Sequence, residues 1–272
     1  MKLQGKVALV LGAVKGIGRG IGLALAHEGV SLALTRHDWS ESFGQMEIAF
    51  GHTGADHEIF DVNLLEIDAI ERLIVRVKER FGRLDILINN IERGGWPVVH
   101  GAYVQDQWDL EMATTLRAKR WVFDLALPLL QSSGDGAVIN FSSIAGVCGR
   151  SGPAAALFND GYAAASRGIS MLTETWARMG APHVRVNEIM LGVMETRHAQ
   201  GTRGWETVLT GKEKAAIVDH TLLGRTGTVE DVVKAVLFML RDAPYMTGSV
   251  LRLDGGYTLG GEGVPPMPPG IL

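Results

Sequence analysis

Val7-Ala8-Leu9-Val10-Leu11-Gly12-Ala13-Val14-Lys15-Gly16-Ile17-Gly18 opens the regular structure of the chain. Five consecutive apolar residues, 7–11, read as a strand buried on both faces, and helical spacing then runs from Ile17 to Glu28, with Gly29 as a stop. Between strand and helix lies a glycine turn spaced G-x3-G-x-G. Such a turn lets backbone approach a pyrophosphate, and the helix that follows offers free N–H groups and a partial positive charge. A tight strand–helix turn without any ligand accounts for the same residues comparably well.

Outward from this turn, short apolar runs alternate with helical patterns. Strands are expected at 32–35, 58–60, 84–88, 137–141, 184–190 and 249–254. Helices are expected at 67–81, ended by Gly82, at 106–130, at 160–179 with Asp160 as the cap, and from Thr228, which caps, to Arg241. Strands separated by helices imply right-handed βαβ units, hence an α/β fold of Rossmann type: a doubly wound parallel sheet of about seven strands with helices on both faces. Residues 1–260 read as one domain. Residues 261–272, with Pro265, Pro266, Pro268 and Pro269, read as an extended tail.

Composition narrows the function. Of 272 residues, 46% are apolar and 21% charged, which suits a large core and argues against disorder. The net charge of −4 and a pI of about 6.1 disfavour nucleic acid or an anionic membrane as partner. A lone cysteine, Cys148, excludes an internal disulfide framework and a multi-cysteine zinc site. No apolar run approaches the ~18 residues of a membrane span, and the N-terminus carries no signal pattern. The expectation is a cytoplasmic protein with no membrane partner and no metal.

Several further motifs follow the glycine turn in order: Asn89-Asn90, Ser142-Ser143-Ile144-Ala145-Gly146, Tyr162 within a helix, Val186-Asn187, Gly192, Thr196, and Asp254-Gly255-Gly256-Tyr257. With this ordered set the chain resembles the short-chain dehydrogenase/reductase family over nearly its whole length. The resemblance implies an NAD(P)-dependent oxidoreductase that interconverts a small-molecule carbonyl and an alcohol by hydride transfer, and that assembles as a homodimer or homotetramer. Gly12, Lys15, Gly16, Ile17 and Gly18 would cradle the cofactor, Asp61 and Val62 would lie beside the adenine, and Asn89, Gly192 and Thr196 would support it. Arg36 stands where NAD-preferring members carry an acid. With Lys15 it suits the 2′-phosphate of NADP, because a guanidinium offers two parallel donors. Asp38 keeps NAD open as the alternative.

The resemblance also assigns the catalytic pair. Tyr162 would exchange the proton with the substrate oxygen, and Ser143 would hydrogen-bond that oxygen. A free tyrosine titrates near ~10, and nearby positive charge is the usual remedy. Here the chain departs from its family. The lysine expected one helical turn after Tyr162 is Ser166, the supporting asparagine is Thr115, and Glu92 replaces a glycine close to the cofactor. Arg167, Arg93 and Lys119 are candidate substitutes for the lost cation, and Lys119, Arg117 and Arg120 read more simply as a surface or interface cluster. Two other readings stay open: a dinucleotide-binding pseudoenzyme acting as sensor or partner subunit, and a changed reaction in which Glu92 supplies the acid or base.

Three other features carry less. His52, His57 and Glu58 sit in a glycine-rich loop without zinc-ligand spacing. Cys148 near Ser143 has no histidine placed beside it. Residues 195–217, with His198, Arg203 and Trp205, occupy the place of a substrate lid.

Overall fold

The apolar runs become seven strands: β1 (Val7–Val10), β2 (Ser31–Arg36), β3 (His57–Asp61), β4 (Ile86–Asn89), β5 (Gly136–Ser143), β6 (Val184–Leu191) and β7 (Val250–Leu253). They pair in parallel as one sheet in the order β3-β2-β1-β4-β5-β6-β7. The structure, a computed structural model, describes residues 1–92, 105–196, 205, 209–261 and 264–267. Around the sheet lie α1 (Gly16–His27), α2 (Phe43–Gly51), α3 (Ile67–Phe81), α4 (Gln105–Glu111), α5 (Ala118–Ser132), α6 (Ala145–Cys148), α7 (Asp160–Gly180), α8 (Gly211–His220) and α9 (Val229–Arg241).

Two cores flank the sheet, which explains strands apolar at every position rather than at alternate ones. Ala8, Val10, Ile86, Ile88 and Ile139 pack with Ile21 and Leu25 of α1 and Val236 of α9. Their strand neighbours Leu9, Leu87 and Val138 turn the other way, against Val77 of α3, Val122 and Phe123 of α5 and Trp176 of α7. Phe123 and Trp176 stack at 4.6 Å. Phe123 of α5 is thus part of the core. At the bottom of the sheet, buried Asp85 accepts from the backbone N–H of Val7 at 2.9 Å and from the Arg83 guanidinium at 2.8 Å. The Lys6 ammonium adds a third donor at 3.2 Å. Burial pushes this carboxyl up, but the three donors outweigh it and hold it below the ordinary carboxylate value.

The strand order reverses between β1 and β4, so the crevice at their carboxyl ends is the place where such sheets bind ligands.

Four local expectations need correction. The helix expected over 106–130 is continuous but not α-helical throughout: α4 passes through a π-helical stretch, Met112–Arg117, before α5. α7 is capped by Asn159, whose side-chain oxygen accepts from Tyr162 N–H at 2.7 Å, and Asp160 is already helical. α2 was hidden by weak periodicity, since only Met46 and Phe50 of its nine residues are buried. α8 overlaps the end of the span read as a lid, runs past it to His220, and starts at a capping box of Thr210 and Glu213. The expected cap at Thr228 is present, again as a capping box, with Asp231.

Candidate active site

The glycine turn is shaped by close approach. Gly12 has φ +66, and a Cβ there would lie 2.5 Å from the carbonyl oxygen of Asn90 on the neighbouring strand's exit. A Cβ at Gly18 would meet the Gly12 carbonyl. The Gly12 N–H donates to Thr35 Oγ1 at 3.0 Å, tying the turn to β2. α1 then begins with no side-chain cap and no acid in its first turn, leaving its N–H groups directed at the crevice.

A cleft of about 340 Å³ opens over this turn. Gly12, Lys15, Gly16, Ile17, Arg36, Val62 and Thr196 line it, as the sequence leads one to expect, and so do Asp38, Asn90 and Glu92. Four expected residues do not line it. Gly18 lies behind the turn. Asp61 turns to Arg36, with its carboxylate 3.6 Å from Nε. Gly192 lines an adjoining pocket with Ser143 and Tyr162. Asn89 is buried and donates to Asn140 Oδ1 at 3.2 Å and to the Lys119 carbonyl at 3.3 Å.

Arg36 reaches the cleft from the end of β2. Its guanidinium donates to Glu47 at 2.6 Å and lies 4.4 Å from the Phe43 ring centre. Nε is buried without a hydrogen-bond partner. Lys15 places its ammonium 3.8 Å over the Trp39 ring. An arginine at the end of β2, an uncapped helix start and a cradle that a Cβ would fill are features that suit an adenine dinucleotide.

Glu92 and Thr196 border both the cleft and the adjoining pocket, so the two spaces meet there. Tyr162 and Ser143 both line that pocket. Ser143 Oγ accepts from Ala145 N–H at 3.1 Å, which fixes its rotamer at the end of β5. Tyr162 Oη donates to Glu92 Oε2 at 3.0 Å. Burial and the Glu92 charge raise the phenol well above its ordinary value, against the lowering bond from Ser143, and Glu111 on α4 adds to the rise. Sequence spacing gave Glu92 a place by the cofactor but no sign that its carboxylate would find the phenol.

The missing cation is the chief surprise. Ser166, where the family carries lysine, is fully buried, and its Oγ has no partner. Arg167 is exposed. Lys119, read from sequence as a surface or interface charge, is instead fully buried. The π-helical stretch precedes it, and its Nζ donates to the Phe141 carbonyl of β5 at 2.5 Å. Burial lowers its pKa to about 8, opposed by the charges of Glu92 and Glu188. Thr115, at the asparagine position, sits in the π stretch with its hydroxyl 3.5 Å from Glu111.

Cys148 donates to the Ile144 carbonyl, and burial raises its pKa, so it is not a poised thiolate. Among the described residues no three metal-ligating side chains converge, and no helix is long and apolar enough to cross a membrane. Trp205 lines the pocket beside Tyr162. Arg93, His198 and Arg203 lie outside the described residues.

Comparison with known proteins agrees with this geometry. A family profile described as Enoyl-(Acyl carrier protein) reductase matches residues 12–258. A 1,6-dihydroxycyclohexa-2,4-diene-1-carboxylate dehydrogenase from Pseudomonas putida is 32% identical over 267 residues, covering 94% of this chain and 93% of its own. The 3-oxoacyl-(acyl-carrier-protein) reductase FabG from Thermotoga maritima is 28% identical over 263 residues, covering 95% of this chain and all of its own. Among solved structures, NADPH-dependent 3-quinuclidinone reductase from Rhodotorula rubra matches with a TM-score of 0.81 at 23% identity, over 95% of this chain and 93% of that one, a likeness of fold.

Proposed function

The chain belongs to the short-chain dehydrogenase/reductase family, and on that premise we propose an NADP-preferring oxidoreductase that interconverts a carbonyl and an alcohol on a small molecule. One observation carries the reading: Ser143 and Tyr162 line together a pocket that meets the cleft over the glycine turn. The family and the relatives are NAD(P)-dependent enzymes, so an active oxidoreductase is the reading rather than a sensor that has lost its chemistry.

The nicotinamide cofactor, when bound, supplies or accepts hydride. The protein does the rest. The α1 N-terminus and the glycine turn hold the pyrophosphate. Ser143 orients the substrate oxygen, and Tyr162 gives or takes the proton there. Arg36 and Lys15 at the far end of the cleft support NADP over NAD, with Asp38 as the group that would favour NAD. The other expected contacts, Gly18, Asp61, Asn89 and Gly192, act in this reading as supports behind the cleft. The reading also places the protein in the cytoplasm. It assembles there as a homodimer or homotetramer through the groove in which Leu116 and Met112 face Met171 and Leu172.

Cofactor binding tests the proposal without a guess at the substrate. NADPH and NADH are titrated into the purified protein at fixed salt, by nicotinamide fluorescence. NADPH binding tighter than NADH supports the reading. NADH preference keeps the oxidoreductase and overturns the role of Arg36. Failure to bind either removes the hydride-transfer reading.

A further inference from the structure

Trp39 stands in the left-handed region, at φ 70 and ψ 45, and among the described residues it is the one non-glycine with a positive φ. A bulky residue adopts that conformation only under strain, and strained backbone persists where its surroundings hold it, often at a site that uses it. Both sides of Trp39 are held. Its carbonyl accepts from the Ser42 N–H at 2.8 Å, closing the 3-10 turn Ser40–Ser42 that leads into α2. Its indole packs, half-buried, against the core on the α1 side of the sheet. The turned backbone thus delivers the ring to the wall of the cleft over the glycine turn.

The Lys15 ammonium lies 3.8 Å over the centre of that ring. Lys15 ends the glycine turn in an extended conformation, at the cap position of α1, and its side chain makes no capping bond. A lysine stem is flexible, and a ring face selects among its rotamers by attracting the cation. A second cation repeats the pattern. Phe43, four residues after Trp39, has the Arg36 guanidinium 4.4 Å from its ring centre. One short stretch, 39–43, therefore gives an aromatic support to each of two cations that line the cleft. Arg36 is also claimed by carboxylates, Glu47 at 2.6 Å and Asp61 at 3.6 Å, so an incoming anion competes for it. A ring face attracts through its quadrupole and brings no formal negative charge.

We propose that Trp39 is a positioning residue that sets cofactor specificity, its indole holding the Lys15 ammonium in place for the 2′-phosphate of the nucleotide. The proposal rests on the NADP reading and deepens it. Stripping a phosphate of water costs more than one ammonium returns, so the preference needs both cations, Arg36 from β2 and Lys15 from the glycine turn. Trp39 has the second of them ordered before the ligand arrives, which lowers the entropy lost on binding.

Two fragments isolate the phosphate without nicotinamide or substrate. Adenosine 2′,5′-bisphosphate and adenosine 5′-monophosphate are titrated by calorimetry into the whole protein at fixed salt. The wild type binds the bisphosphate more tightly. Trp39→Leu keeps apolar bulk without the ring face. It loosens the bisphosphate by about 2- to 5-fold, the span of a partly exposed cation–π contact, and leaves the monophosphate unchanged. Trp39→Phe restores the wild-type preference. Trp39→Gly, whose backbone is at ease at this φ, folds without the strain and shows the same loss as Trp39→Leu. Lys15→Met already lacks the preference, and adding Trp39→Leu takes nothing more. Equal loosening of both fragments in Trp39→Leu makes the indole a wall for the adenine and overturns the proposal. An unchanged bisphosphate affinity, or a loss that persists in full beside Lys15→Met, overturns it as well. Each of these leaves the NADP reading standing. A wild type that does not distinguish the two fragments removes that reading, and the role of Trp39 with it.

Discussion

Arg36→Leu should remove the preference for NADPH over NADH, and the structure bounds how large that preference is. A charge-assisted bond from a guanidinium to a phosphate contributes about 1.5–3 kcal/mol. Arg36 is not idle before the cofactor arrives. It pairs with Glu47 at 2.6 Å, in a bridge whose side chains are 23% and 57% exposed. A bridge so open to solvent is worth about 0.5 kcal/mol, and releasing it offsets part of the gain. The balance, about 1–2.5 kcal/mol, is a preference of about 5- to 70-fold. Fluorescence titrations of both cofactors at one ionic strength measure it, since salt screens this contact. In Arg36→Leu the ratio of dissociation constants falls to about 1, mainly through weaker NADPH. Glu47→Gln works the other way and tightens NADPH by about twofold, because the guanidinium no longer has to leave a carboxylate. The reasoning is refuted if Arg36→Leu keeps the wild-type ratio. Phosphate selection would then lie with Lys15, or the cofactor would carry no phosphate.

Tyr162→Phe removes the proton donor without changing the ring, so turnover drops by about 100- to 10,000-fold while NADPH affinity stays near wild type; a retained rate would transfer the proton step to Glu92 alone. For Asp85, held below its unfolded pKa by Arg83, the Val7 N–H and Lys6, the linkage sign is fixed. Its contribution is complete above the unfolded value near pH 4 and disappears as pH falls through the lowered folded value. Denaturant melts should show the wild type losing stability below pH 4 and Asp85→Asn, about 1–3 kcal/mol weaker at pH 7, losing less there. Thr228→Ala breaks the capping box of α9 and costs about 1 kcal/mol, lowering the melting temperature by about 2 °C with cofactor affinity unchanged.

Local chemistry made most of the frame legible. Residues 7–18 announce a buried strand, a glycine turn and a helix, because continuous apolar runs, positive-φ glycines and helical spacing are properties of neighbours along the chain. The same holds for α3 and for the cap at Thr228. α2 escaped because only Met46 and Phe50 turn inward, too few to set a period. The register change within 106–130 escaped because a π-helical stretch keeps the composition of an α-helix and alters only its hydrogen bonding.

The site divides along the same line. Gly12, Lys15, Gly16 and Ser143 stand at or just beyond recognisable strand ends and Tyr162 in a recognisable helix, so the sequence carries their positions. Lys119 does not. Beside Arg117 and Arg120 it has the look of solvated charge, and burial is a property of what packs over a residue, not of its neighbours in sequence. Only the folded chain places the first turn of α5 against β5, brings Glu92 from the end of β4 onto the Tyr162 phenol, and leaves Ser166 without a partner. Sequence determined the sheet, the glycine turn and the places of Ser143 and Tyr162. Tertiary structure decided which groups surround that pair, because long-range packing alone brings together residues 22 to 70 positions apart.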